Sequence, residues 1–94
     1  MDTLGFSFQT ALITGAGQGI GYEICRQLAL GGANVILNDV DAALAEKAAE
    51  SIRSEGGNCE AIAGDVGDTG FIRKMVDDIV KKYGQLDIAV ANAG

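Results

Sequence analysis

Thr14-Gly15-Ala16-Gly17-Gln18-Gly19-Ile20-Gly21 follows directly on the apolar stretch Ala11-Leu12-Ile13 and opens a helical pattern. A strand that ends in a glycine loop and runs into a helix can cradle a phosphate. Glycine lets the backbone come close to the ligand, and the unpaired N–H groups at the positive end of the helix dipole face the anion. Gly15, Gln18, Gly19 and Ile20 are the candidate contacts. An acid, Asp39, closes the next apolar run, Asn34-Val35-Ile36-Leu37-Asn38. It lies about twenty residues beyond the loop, where a carboxylate can accept hydrogen bonds from the ribose hydroxyls of an adenosine. The plain alternatives are a glycine turn without a ligand and an acid that only ends a strand.

The glycine spacing narrows the reading. The common dinucleotide fingerprint has glycines at the first, third and sixth positions. Counting from Gly15, the sixth position is Ile20, so that fingerprint does not fit. Thr-Gly-x-x-x-Gly-Ile-Gly does fit, through Thr14, Gly15, Gly19, Ile20 and Gly21. This longer turn resembles the cofactor loop of the short-chain dehydrogenase/reductase family. Asp65-Val66, after the strand candidate Glu60-Ala61-Ile62-Ala63, is similar to the family's Asp-Val pair beside the adenine ring. Ala91-Asn92-Ala93-Gly94 resembles the Asn-Asn-Ala-Gly motif after the fourth strand, with Ala91 in place of the first Asn. The resemblance runs from about Thr10 to Gly94, and its motifs stand in the family's order.

The resemblance implies a cofactor set of Gly15, Gln18, Gly19, Ile20, Asp39, Val40, Asp65, Val66, Asn92, Ala93 and Gly94. A carboxylate at position 39 bonds a free 2′-hydroxyl and repels a 2′-phosphate. Val40 and Gln18 supply no charge where phosphate-binding relatives carry Arg or Lys. The expected cofactor is NAD(H) in preference to NADP(H). Asp65 also has a local reading, as a cap on the loop before the next helix.

The family's catalytic Ser, Tyr and Lys belong to a part of its sequence beyond Gly94, so no catalytic residue is assigned here. Tyr22 and Arg26 have a tyrosine-plus-base spacing but lie on the first helix, where packing is the simpler role. Reduction of a carbonyl needs a proton donor in step with hydride arrival. Quinones, flavins and dyes do not, and a bound nicotinamide carries its own chemistry. Two functions follow: a diaphorase-like oxidoreductase transferring hydride from NADH to quinones or dyes, and a non-catalytic NAD-binding fragment of a longer dehydrogenase/reductase. No metal site is expected, since the chain has no histidine and only the isolated Cys25 and Cys59.

Alternating strand and helix patterns must position these residues. Strands are expected over about Thr10–Thr14, Asn34–Asn38, Glu60–Ala63 and Leu86–Ala91. The first helix runs from about Gly19 to Leu30, with Ile20, Ile24 and Leu28 inward. The second follows Asp41, with Leu44, Ala48 and Ile52 inward. The third starts after Asp68 or Thr69 and carries Ile72, Met75, Val76, Ile79, Val80 and Tyr83. Gly31-Gly32, Gly56-Gly57 and Gly84 stop them in turn. Strands joined by helices imply an α/β Rossmann-type parallel sheet, and the family resemblance implies the strand order 3-2-1-4.

At 94 residues, the chain is expected to form one dinucleotide-binding domain spanning 1–94. A net charge of −6 and no basic stripe argue against nucleic acid and anionic membranes. The N-terminus lacks a basic segment before an apolar core, so a cytoplasmic protein is expected. In the family, a fifth strand pairs along the far side of strand four. Strand four is strongly apolar, and an open apolar edge templates pairing, so a homo-oligomer through strand four is expected.

Overall fold

The computed structural model describes residues 9–92. Its elements run β1 (Thr10–Ile13), α1 (Gly19–Leu30), β2 (Asn34–Asp39), α2 (Ala42–Ser54), β3 (Asn58–Ala63), α3 (Thr69–Tyr83) and β4 (Ile88–Val90). All strand pairs are parallel, and the sheet order is β3-β2-β1-β4.

Period-two alternation along the central strands builds two apolar layers. Ala11 and Ile13 of β1, with Val35 and Leu37 of β2, face α1 and α2. Leu12 and Ile36 face Met75 and Ile79 of α3. Both central strands are buried on both faces, which explains their nearly unbroken apolar runs.

The helix faces differ from the sequence expectation. On α1 the buried residues are Gly21, Cys25 and Ala29. Ile24 and Leu28 only flank them, and Ile20 is 75% exposed at the mouth of the loop. Small side chains let α1 approach the sheet, and the apolar period lies one position from where the large residues suggested. On α2, Ala45, Ala48, Ala49 and Ile52 are buried, and Leu44 is half-buried against the glycine loop. On α3, Met75 and Ile79 form the buried line, whereas Ile72 and Val80 stay exposed because the stripe is wider than the sheet face beneath it.

Strand bounds differ too. β1 stops at Ile13, β2 includes Asp39, β3 begins at Asn58, and β4 is only Ile88–Val90. Leu86 and Asp87 lead into β4 as coil. Asp87 still ties the sheet, donating its N–H to Thr10 O and accepting from Thr10 N at 2.8 Å.

Among the described residues, no helix is long and apolar enough to cross a membrane, and no cluster could hold a metal ion. Cys25 and Cys59 are free, buried thiols, and burial pushes both upward in pKa, Cys59 to about 12.

Candidate functional site

The sheet order reverses at β1, which has β2 on one side and β4 on the other. Open parallel sheets take ligands at the carboxyl ends of the strands beside such a point. The loop Thr14–Gln18 leaves β1 there. Its backbone is pinned on both sides: Thr14 N–H donates to Val90 O at 3.1 Å, and Ala16 N–H to Asn38 O at 2.8 Å.

Gly19, the first residue of α1, has φ of 68°. An added Cβ there would meet nothing within 4 Å. Space does not require glycine at this position; the left-handed backbone does, at a cost of about 1–2 kcal/mol for any L-residue. Gly15 shares that conformation, at 61°.

The start of α1 is unlike the other helix starts. Gln18 is its N-cap, extended and making no side-chain cap, and no acid lies in the first turn. Asp41 caps α2 through Leu44 N at 3.0 Å, and Asp68 caps α3 through Gly70 N at 2.9 Å. The first N–H groups of α1 and the positive dipole end therefore have no capping carboxylate. An anion fits that end.

Asp39 is half-buried at the end of β2. Its Oδ2 accepts from Gly17 N–H at 2.9 Å and its Oδ1 from Asp41 N–H at 3.1 Å. The acid and the glycine loop are thus one bonded unit. Sequence reasoning missed Gly17 as part of it. A Cβ on Gly17 would lie 2.8 Å from Asp39 Oδ2 and from the Leu44 side chain. The only signal in the sequence is one more glycine in an already glycine-rich loop. Val40, beside Asp39, is 69% exposed.

Asn92 binds the loop itself. Its N–H donates to Thr14 Oγ1 and its Nδ2 to Gly15 O, both at 3.1 Å. Gly21 lies directly beneath: a Cβ there would stand 2.5 Å from Asn92 Nδ2 and 3.0 Å from Gly15 O and Ala16 Cα. Gly21, absent from the expected site set, is what lets α1 seat against the loop. Ala93 and Gly94 lie outside the described residues.

Asp65 follows β3, joined to the site through Gly64, whose N–H donates to Asp39 O at 3.0 Å. The Asp65 Oδ1 accepts from Gly67 N–H at 2.8 Å, the local cap that its sequence context allowed. The Val66 side chain packs against the α3 layer. The remaining tyrosine and arginine candidates join helices: Tyr22 OH bonds Ser51 Oγ at 3.1 Å, and Arg26 pairs with Glu55 at 2.9 Å.

Comparison with known proteins agrees with this geometry. Residues 9–94 match the family model described as short chain dehydrogenase. The chain is 46% identical over 86 residues to an uncharacterized oxidoreductase of Bacillus subtilis, covering 92% of this chain and 34% of that protein. It is 42% identical over 95 residues to versicolorin reductase 1 of Dothistroma septosporum, covering 100% of this chain and 36% of the relative. Among solved structures, hydroxysteroid dehydrogenase from Escherichia coli superposes with a TM-score of 0.91 at 36% identity, covering 97% of this chain and 39% of that one. A metagenomic short-chain oxidoreductase in complex with NADP gives a TM-score of 0.90 at 34% identity, covering 95% of this chain and 40% of that one. The chain therefore spans about a third of the length of the relatives it matches. With its glycine loop, its strand order and this match, the chain belongs to the short-chain dehydrogenase/reductase family, whose NAD(P)-binding fold it carries.

Proposed function

We propose that residues 1–94 form one dinucleotide-binding unit that takes NAD(H) in preference to NADP(H). The observation that carries this reading is the direct bond between Asp39 Oδ2 and Gly17 N–H beside an uncapped helix start. Gly15, Gln18, Gly19 and Ile20 would hold the pyrophosphate through backbone groups at the positive end of α1. Asp39 would accept from the adenosine 2′-hydroxyl, and a 2′-phosphate would meet its carboxylate, with the uncharged Val40 next to it in the chain. Asp65, Val66, Asn92, Ala93 and Gly94 complete the proposed cofactor set. Binding titrations of NADH and NADPH in parallel test the preference. Asp39→Ala should bring the two affinities together, and equal affinities in the unaltered chain would remove the assignment.

When bound, the nicotinamide supplies hydride chemistry. This chain supplies binding and orientation, and no general acid is assigned in it. That combination favours acceptors needing no enzyme-held proton, so we propose diaphorase-like transfer from NADH to quinones or dyes. Mixing the purified chain with NADH and a quinone tests it. A rate equal to that of NADH and quinone alone would leave the second reading, a non-catalytic binding fragment.

We further infer a homo-oligomer formed through β4. Among the described residues β4 pairs only with β1, and α3 exposes Ile72 and Val80. Light scattering should show a mass above that of one chain, lowered by Ile88→Lys. The net charge of −6 supports a cytoplasmic location with neither nucleic acid nor membrane as partner, which we also propose.

A further inference from the structure

β3 is the other edge of the sheet. Successive residues of a parallel strand send their backbone groups alternately to the two sides. Asn38 Nδ2 donates to Ile62 O at 2.9 Å, and Gly64 N–H donates to Asp39 O at 3.0 Å. The even-numbered residues therefore face β2, and Cys59, Ala61 and Ala63 direct their N–H and C=O groups outward. Such a row is a template for another strand.

The row is not left bare. Arg53 reaches from α2 around the edge, and its Nη1 donates to Cys59 O at 2.8 Å. Glu46, two turns earlier on α2, holds the other end of the guanidinium at 2.6 Å. From the opposite face, Lys82 Nζ and Tyr83 OH of α3 bond Glu60 Oε1 at 2.9 Å and 3.0 Å. These groups bank a groove of about 560 Å³ along the strand. Every charge in it has a partner of opposite sign, so the groove offers no unpaired charge to a ligand. What it does is occupy the path of an incoming strand.

We propose that Arg53, held by Glu46, is an edge guard that prevents β3 from pairing with β3 of a second copy of this chain. β3 is six residues long and apolar at Cys59, Ala61, Ile62 and Ala63, which makes it a longer template than the three-residue β4. A guanidinium on the Cys59 carbonyl takes the acceptor at the start of that row. It also places a charge where a paired strand would have to desolvate it.

Amide hydrogen exchange of Cys59, Ala61 and Ala63 is the test, because it reads this edge whatever β4 does. In the unaltered chain their rates should not depend on protein concentration. Arg53→Met keeps the aliphatic stem and removes the guard. Its exchange at these three amides should slow about tenfold between roughly 20 µM and 500 µM protein. Glu46→Gln removes the charge that holds Arg53, leaves the β3 residues themselves unaltered, and should show the same change at smaller size. It also decides the matter should Arg53→Met fail to fold. Concentration-independent rates in Glu46→Gln and in folded Arg53→Met would overturn the proposal, as would slowing of the same size in the unaltered chain.

Discussion

Gly21→Ala should weaken the fold although alanine is the better helix former. In a helix interior the exchange favours alanine by up to about 1 kcal/mol. Against that, the new Cβ would stand 2.5 Å from Asn92 Nδ2 and 3.0 Å from two backbone atoms of the loop. Backbone cannot give way as a side chain can, so either α1 moves off the loop or Asn92 swings out. Overpacking of this kind costs about 1–3 kcal/mol. Losing the Asn92–Gly15 hydrogen bond adds about 0.5–1.5 kcal/mol. The net is a loss of about 1–3 kcal/mol, or a urea midpoint lower by about 1 M for a small domain. Urea unfolding followed by far-UV circular dichroism measures it. A double-mutant cycle identifies the cause. With Asn92→Ala in place, the nearest clash is gone and the two backbone contacts remain. Gly21→Ala should then cost about 1 kcal/mol less than in the unaltered chain. A Gly21→Ala variant as stable as the parent, or strict additivity with Asn92→Ala, would refute the close-approach argument. The same displacement should weaken NADH binding, since α1 would carry its N–H groups away from the loop.

Gly19→Val should abolish NADH binding with most helical content retained, because its backbone is left-handed and its open side is where a phosphate would sit; undiminished binding in a titration would count against the cradle. Cys25 and Cys59 are buried and burial pushes both thiols up in pKa, so both should react with a thiol reagent only on unfolding, and rapid labelling of the native chain would contradict their burial. The Lys82 ammonium holds the Glu60 carboxyl below its ordinary value of 4.5. That stabilisation is complete above the ordinary value and is lost as pH falls through the lowered one. Solvent screening limits it to about 1 kcal/mol or less, and Glu60→Gln should flatten the acid limb of a stability–pH curve.

Local signals carried much of this molecule into view. Strand and helix existence and the helix stops at glycine rest on interactions within a few residues. So does the Asp41 cap, whose partner Leu44 is three positions away. The apolar runs of β1 and β2 marked them as strands, and their burial on both faces is what a parallel sheet between helix layers requires. The strand order was available only through the family's motifs.

Long-range packing decided the rest. Ile20, expected to face inward, is exposed, because α1 meets the sheet through the small residues Gly21, Cys25 and Ala29 and not through its largest ones. Asn92 lies 77 positions from the Gly15 carbonyl it binds, and Gly17 lies 22 from Asp39. Nothing in their immediate neighbours marks either pair. Arg53 reads in sequence as one more surface charge on a helix, and only the edge position of β3 gives it a carbonyl to cover. Periodicity and turn chemistry act over a few residues and survive in any window of sequence. Contacts across the sheet exist only once every strand has taken its place, so their partners are fixed by the tertiary structure alone.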